Sequence, residues 1–295
     1  MNYHYPLRLI PYLFLASEFH CLQVEENRKL TRWHKPCVGL IQDAQFETES
    51  GLTRASRLIC EIDSGETYKV DVPDHWLLQQ MKKGNIRSGV SHINLARDAF
   101  LDEERAEIKT SDLPVMTSPP VGNDAPNRRD LAVLEGVFSV LVVRVQASDQ
   151  ATTRSEEDLA NSVFGNKASD PQGVNMKSQY NSCSHGKLNF VEADNRNGKS
   201  TNISNGATTI YVNTSTGQGD RVMRNAITAK LNEEFNVSRP DELADYVMYC
   251  MPPDTFSGVA YAYINSWNSI YNDEWCSKLS AQMHEVGHNL NLGHR

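Results

Sequence analysis

Three histidines dictate a particular local fold, a helix that must stop and then reverse. The run reads His284-Glu-Val-Gly-His288-Asn-Leu-Asn-Leu-Gly-His294. On an α-helix, residues four apart project from the same face, one turn above the other, which brings His284 and His288 together. His294, six residues further on, cannot share that straight face. It joins the pair only if the helix ends and the chain turns back, and Asn291 and Gly293 are suited to such a turn. Two imidazoles at this spacing can grip one zinc ion, and a third completes a set of neutral nitrogen donors. Glu285 follows His284 directly and is placed to handle a proton. The pattern predicts zinc held by His284, His288 and His294, one open position for water, and Glu285 as the base. That is a hydrolytic centre. The plainer reading is a terminal amphipathic helix with solvated histidines, contacting its neighbours through Leu290 and Leu292.

The surrounding residues favour the centre. Ser280 is the expected N-cap, and Met283, Val286, Gly287 and Leu290 form an apolar side able to bury the helix. Gly287 costs about 1 kcal/mol of helix propensity relative to Ala, which points to something packed closely against the backbone. The run resembles the extended zinc motif of the metzincin metallopeptidases, HExxHxxGxxH, with Asn291 where that motif has Gly. The position calls for a left-handed conformation, and Asn tolerates it best after Gly. Upstream, the runs Asp245–Pro253, Ala260–Trp267 and Tyr271–Cys276, leading into Ser280–His288, are similar to the gametolysin family, algal cell-wall metallopeptidases of that clan. The resemblance covers roughly residues 135 to 295.

What the resemblance implies is an α+β fold with a metzincin-like upper subdomain: a twisted mixed β-sheet, a backing helix and an active-site helix. It implies a zinc-dependent endopeptidase acting on proline- or hydroxyproline-rich glycoproteins of an extracellular matrix or cell wall.

Periodicity along the chain fits that order. From about residue 21 to 112, short β-like runs alternate with turn residues: Cys37–Ile41, Ser56–Ile62 and Thr67–Val72. They suggest a small β-rich domain, read as a propeptide. Residues 113 to 130, rich in proline and polar residues, read as a linker, with Arg128-Arg129 as an exposed dibasic step for processing or simply a solvated pair. The metallopeptidase domain then occupies 131 to 295. Gly136–Val145 is a continuous apolar run suited to a strand buried on both faces. Ser155–Asp158 opens a helix to about Phe164, a second helix covers Val174–Cys183, and Lys187–Glu192 is a strand. Asp220–Phe235 is a patterned helix with Val222, Ile227 and Leu231 on its apolar side, and strands at about 245–251 and 259–266 precede the histidine helix.

With 295 residues the chain has room for two cores, and its net charge of −8 argues against a nucleic acid or an anionic membrane as partner. Residues 1 to 20 contain a short apolar run behind Arg8 that reads as a possible signal peptide, too short to span a bilayer, or else as a buried strand. No other stretch could span one. The six cysteines lack CxxC spacing. In an exported protein Cys250 and Cys276 are the best pair, because both flank the strands leading to the zinc helix. Sequons begin at Asn202, Asn213 and Asn236, consistent with a glycosylated, secreted surface.

An extended protein substrate is expected to lie along an exposed strand, with Ala260, Tyr261, Ala262 and Tyr263 as its candidate contacts and core packing as the alternative for each aromatic ring. Cys37 bears a faint likeness to the cysteine that caps zinc in some metzincin propeptides, while His34 with Cys37, and Cys183 with His185, are each half a metal site. Metzincins continue past the third histidine into a lower subdomain with a Met-containing turn. The sequence stops at Arg295, so it is read as carrying the upper subdomain only. The alternative to an active peptidase is a non-catalytic zinc-binding or matrix-interaction protein. Fraying is expected beyond Leu290.

Overall fold

Period-two apolar runs in the first half form a mixed eight-stranded sheet among the described residues. The structure, a computed structural model, describes residues 30–48, 51–117, 135–165, 173–193 and 202–294. The segment expected as a signal peptide and the Arg128-Arg129 step lie outside these residues. In chain order the first half comprises β1 (Leu30–Arg32), β2 (Cys37–Thr48), β3 (Gly51–Glu61), β4 (Thr67–Val70), helix α1 (Asp74–Lys82), β5 (His92–Asn94), β6 (Phe100–Asp102), β7 (Glu107–Lys109) and β8 (Val115–Thr117). The strand order is β1-β6-β7-β4-β3-β2-β5-β8, antiparallel except for the β4–β7 pair. The three-residue strands β1 and β5 to β8 and the helix α1 are additions to the sequence expectation. Val115–Thr117, expected in the linker, pairs with β5 as an edge strand. Helix α1 is absent from the expectation because it buries little more than Leu77 and so shows almost no apolar stripe.

The second half builds a six-stranded sheet. Its elements are β9 (Gly136–Gln146), α2 (Glu156–Phe164), α3 (Met176–Cys183), β10 (Leu188–Glu192), β11 (Ala207–Tyr211), α4 (Asp220–Phe235), β12 (Tyr246–Met251), β13 (Ala260–Ala262), β14 (Asn268–Asn272) and α5 (Leu279–Asn289). Strands β10, β11 and β12 all run parallel to β9, β14 runs parallel to β12, and only the edge strand β13 is antiparallel. The second expected strand, 259–266, shortens to the three-residue β13, and β11 and β14 are additional strands. The fold is α+β.

Strand β9 is central because its alternating residues serve two cores. Val140 and Val142 pack with Leu159, Val163, Met176, Tyr180, Val286 and Leu290 from α2, α3, α5 and the turn that follows it. Leu141, Val143 and Val145 pack on the other face with Met223, Ile227 and Leu231 of α4. Strand β12 repeats the division, with Met248 and Cys250 on one side and Val247 and Tyr249 on the other. Local signals set the helix ends: Ser155 accepts from the Asp158 amide at the start of α2, and Asn236 closes α4 in a left-handed conformation at φ 50°.

The two halves share an interior. Leu40 of β2 and Ile59 of β3 belong to the same core as α4, while Ile41, Leu58 and Cys60 face the opposite way, toward α1. Polar contacts join the halves as well. Arg224 of α4, fully buried, donates from Nε to Asn268 Oδ1 (2.8 Å) and from its other nitrogens to Thr67 Oγ1 and the Gly65 carbonyl. Its guanidinium lies 5.0 Å from the Tyr263 ring centre and 5.6 Å from that of Trp267, within cation–π range. Trp267 Nε1 donates to Glu61 Oε1 at 2.7 Å, and Asn225 pairs with the Thr67 backbone in both directions.

Disulfides join Cys37 to Cys60 and Cys250 to Cys276. The first takes Cys37 out of consideration as a zinc-capping thiolate or a half-site with His34. The second, the pair expected from its flanking positions, ties β12 to the turn feeding α5. Its ends are 26 residues apart, so opening it by substituting both cysteines with serine should cost about 3 kcal/mol. An unchanged denaturant midpoint would show that the bridge does not constrain the unfolded chain. Two disulfides fit a secreted protein, and no helix among the described residues is long and apolar enough to cross a membrane. Asn202, Asn213 and Asn236 are all exposed.

Candidate metal centre

Helix α5 is presented by its apolar side. Val286 and Leu290 are buried against the β9 and β12 face, and Gln282 Nε2 donates to the Cys276 carbonyl and to Ser162 Oγ. Asn289, buried at the far end, donates to the Tyr263 and Asn268 carbonyls. The helix begins at Leu279 after Lys278, whose side chain makes no capping bond, so Ser280 lies in the first turn instead of capping it. Gly287 is not held by close packing. A Cβ there would meet Leu292 Cδ1 at 3.7 Å and Tyr180 Oη at 3.8 Å, ordinary contact distances.

The reversal after α5 is the one the spacing demands. Asn291 takes φ 69°, and its amide donates to the His288 carbonyl at 2.9 Å. The Leu292 amide donates to the Gly287 carbonyl at 3.0 Å, closing the turn and swinging His294 back toward the helix. Ligand atoms of His284, His288 and His294 all lie within 4.8 Å of one another, and their ring centres are 4.6 to 4.9 Å apart. Nε2 of His294 is 2.9 Å from Nε2 of His284.

The donor set fits a metal ion. Three nitrogens bound tetrahedrally to zinc at about 2.1 Å would stand about 3.4 Å apart, and the observed set brackets that separation. Nδ1 of His288 sits 2.6 Å from the Leu292 carbonyl. A carbonyl only accepts, so Nδ1 carries the proton and the ring's lone pair is left on Nε2, the tautomer needed for ligation. Burial, followed by the neighbouring His288 and His294, holds the His284 imidazole below its ordinary value of 6.5, which favours the neutral, metal-binding form. Three imidazoles also suit copper, nickel or iron, so the donor set defines a metal centre without naming the ion.

Glu285 is buried at 6 % exposure, and burial pushes its carboxyl up from 4.5 to about 8. Tyr180 and Tyr271 lie close enough to feel its charge, and burial raises both phenols well above their usual value. Neither tyrosine stands out in the sequence as part of a site.

The candidate substrate contacts are placed differently. Ala262, Tyr263 and Tyr261 are buried and Ala260 partly so. Beyond β13 the chain pairs with the first sheet: Gln42 bridges Tyr263 antiparallel, and the Ile264 amide donates to the Ile41 carbonyl at 3.1 Å. Cys183 is exposed and unbridged. Comparison with protein-family models, with curated proteins and with solved structures finds no match to this chain.

Proposed function

We propose that this chain is a zinc-dependent endopeptidase of metzincin type, its ligands His284, His288 and His294 and its base Glu285. The observation that carries the reading is the convergence of three imidazoles, the first of them followed directly in sequence by a buried glutamate. The motif's likeness to gametolysins supports zinc over other ions and supports exported, proline- or hydroxyproline-rich glycoproteins as substrates. Zinc bound there would polarise a peptide carbonyl and lower the pKa of water to about 7. The chain's own residues do the remainder. Glu285 accepts a proton at its carboxylate and returns it to the leaving amine. His288, locked by the Leu292 carbonyl, keeps its ring fixed, and the exposed His284 marks the side from which a substrate approaches.

The test is hydrolysis of a hydroxyproline-rich glycopeptide by the purified chain, before and after treatment with a phenanthroline chelator and zinc restoration. Activity that survives complete removal of metal would overturn the assignment. His294→Ala should weaken zinc binding about 10- to 100-fold, read by competition with a chromophoric chelator. Unchanged affinity would reduce the centre to a two-histidine site.

A further inference from the structure

The carbonyl of His288 is a junction. It accepts from the Asn291 amide, which begins the turn to His294, and also from the Asn265 amide at 3.0 Å. Asn265 is nearly buried and sits in the left-handed region at φ 53°, where an Asn is far less strained than most residues. Its own side chain reaches into the first half of the molecule, Nδ2 donating to the Ser88 carbonyl at 3.0 Å. Ser88 in turn is clamped between the two halves. Its Oγ accepts from the Ile41 amide at 2.9 Å and donates to the Ile264 carbonyl at 2.6 Å. The next residue is pressed against the same place: a Cβ on Gly89 would fall 2.5 Å from the Asn265 carbonyl oxygen, and Gly89 has φ 74°. With the Ile264 amide's bond to the Ile41 carbonyl, four polar contacts and one close backbone approach converge on two residues, Ile264 and Asn265, at the end of α5.

We propose that Asn265, held by Ser88 from the turn that precedes β5 in the N-terminal half, is a positioning residue for the metal centre. It sets the C-terminal end of α5, and with it His288 and the turn that delivers His294. The inference rests on the zinc reading above. It adds that the N-terminal half contributes to metal affinity without supplying a ligand. The physical basis is that a ligand's affinity depends on how well its ring is already oriented, and outer contacts of this kind change metal affinity by 10- to 100-fold. Helix ends fray readily because their last carbonyls lack intrahelical partners. A second donor to His288 from a buried, rigid segment removes that freedom at the residue where it matters.

The experiment uses the full chain in four forms: wild type, Ser88→Ala, Ser88→Thr and Asn265→Gly. Ser88→Ala deletes both Oγ contacts, Ser88→Thr retains the hydroxyl, and Asn265→Gly keeps the left-handed backbone while removing the side-chain link to Ser88. Zinc affinity is measured by chelator competition, and cobalt absorption reports ligand geometry, at a temperature where circular dichroism of the metal-free forms matches wild type. Ser88→Ala and Asn265→Gly should each bind zinc about tenfold more weakly, and Ser88→Thr should recover most of the loss. If the melting temperatures of the metal-free variants fall while zinc affinity and the cobalt spectrum stay at wild-type values, the contacts are merely structural and the inference is overturned. A wild-type chain that binds neither ion overturns the zinc reading itself, and the positioning role with it.

Discussion

Replacing Glu285 with Gln should reduce peptide hydrolysis by about 10²- to 10⁴-fold while leaving the metal in place. The two side chains have nearly the same shape, and the site at Glu285 is 6 % exposed, so the exchange alters proton chemistry far more than packing. An amide has no basic oxygen able to take and return a proton. Nor does folding depend on the lost charge, because burial already disfavours the carboxylate and lifts its pKa to about 8 in the metal-free chain. A doubly charged ion held by the three histidines would draw that carboxyl back toward ionisation, which is the form a base requires. The measurement is kcat/KM together with zinc content. Full zinc content with undiminished turnover would remove Glu285 from the mechanism. Loss of zinc along with activity would make it a structural support of the ligand helix instead.

Arg224→Ala should be the most damaging single substitution for the fold, destabilising it by at least about 3 kcal/mol. The guanidinium is completely buried and donates to Asn268, Thr67 and the Gly65 carbonyl while lying beside Tyr263 and Trp267. Truncation leaves a cavity and strands buried acceptors, each costing about 1–3 kcal/mol when unsatisfied. Lysine offers a point charge in place of a planar fork and should recover little. Because Thr67 and Gly65 belong to the first half while Asn268 belongs to the second, the loss falls on the seam between the halves. Leu40 and Ile59 already share a core with α4, so the wild type should unfold in urea as one transition, and Arg224→Ala should move that transition as a whole. Two separated transitions would show that the halves are independent and that the shared interior is not cooperative.

Elements with strong local periodicity are legible in the amino-acid sequence. The bounds of α4 match the expected Asp220–Phe235 run, and β9 is buried on both faces as its unbroken apolar sequence requires. On α4, however, the expected Val222 is only half-buried and leans toward the first sheet's core, whereas Arg224, which reads as one more surface charge beside Arg221, is fully buried. No local signal distinguishes the two arginines. Only the arrival of Thr67 and Trp267 from segments far away in sequence decides between them. The short strands β5 to β8 escape a sequence reading for a related reason: three residues carry too little pattern to stand out from loops.

At the centre itself the division is sharper. Spacing alone determines that His284 and His288 share a helix face and that His294 must return through a left-handed residue, because helical geometry and the tolerance of Asn for positive φ act within a dozen residues. The covering of the Tyr263–Asn265 edge by the first sheet, and the Ser88–Asn265–His288 chain of contacts, were decided only by tertiary structure. The contacts of Ser88 with Ile264 and Asn265 span separations of 176 and 177 residues, and they form because strand register and a shared core bring a serine and an asparagine face to face. No periodicity in either segment encodes the other's position.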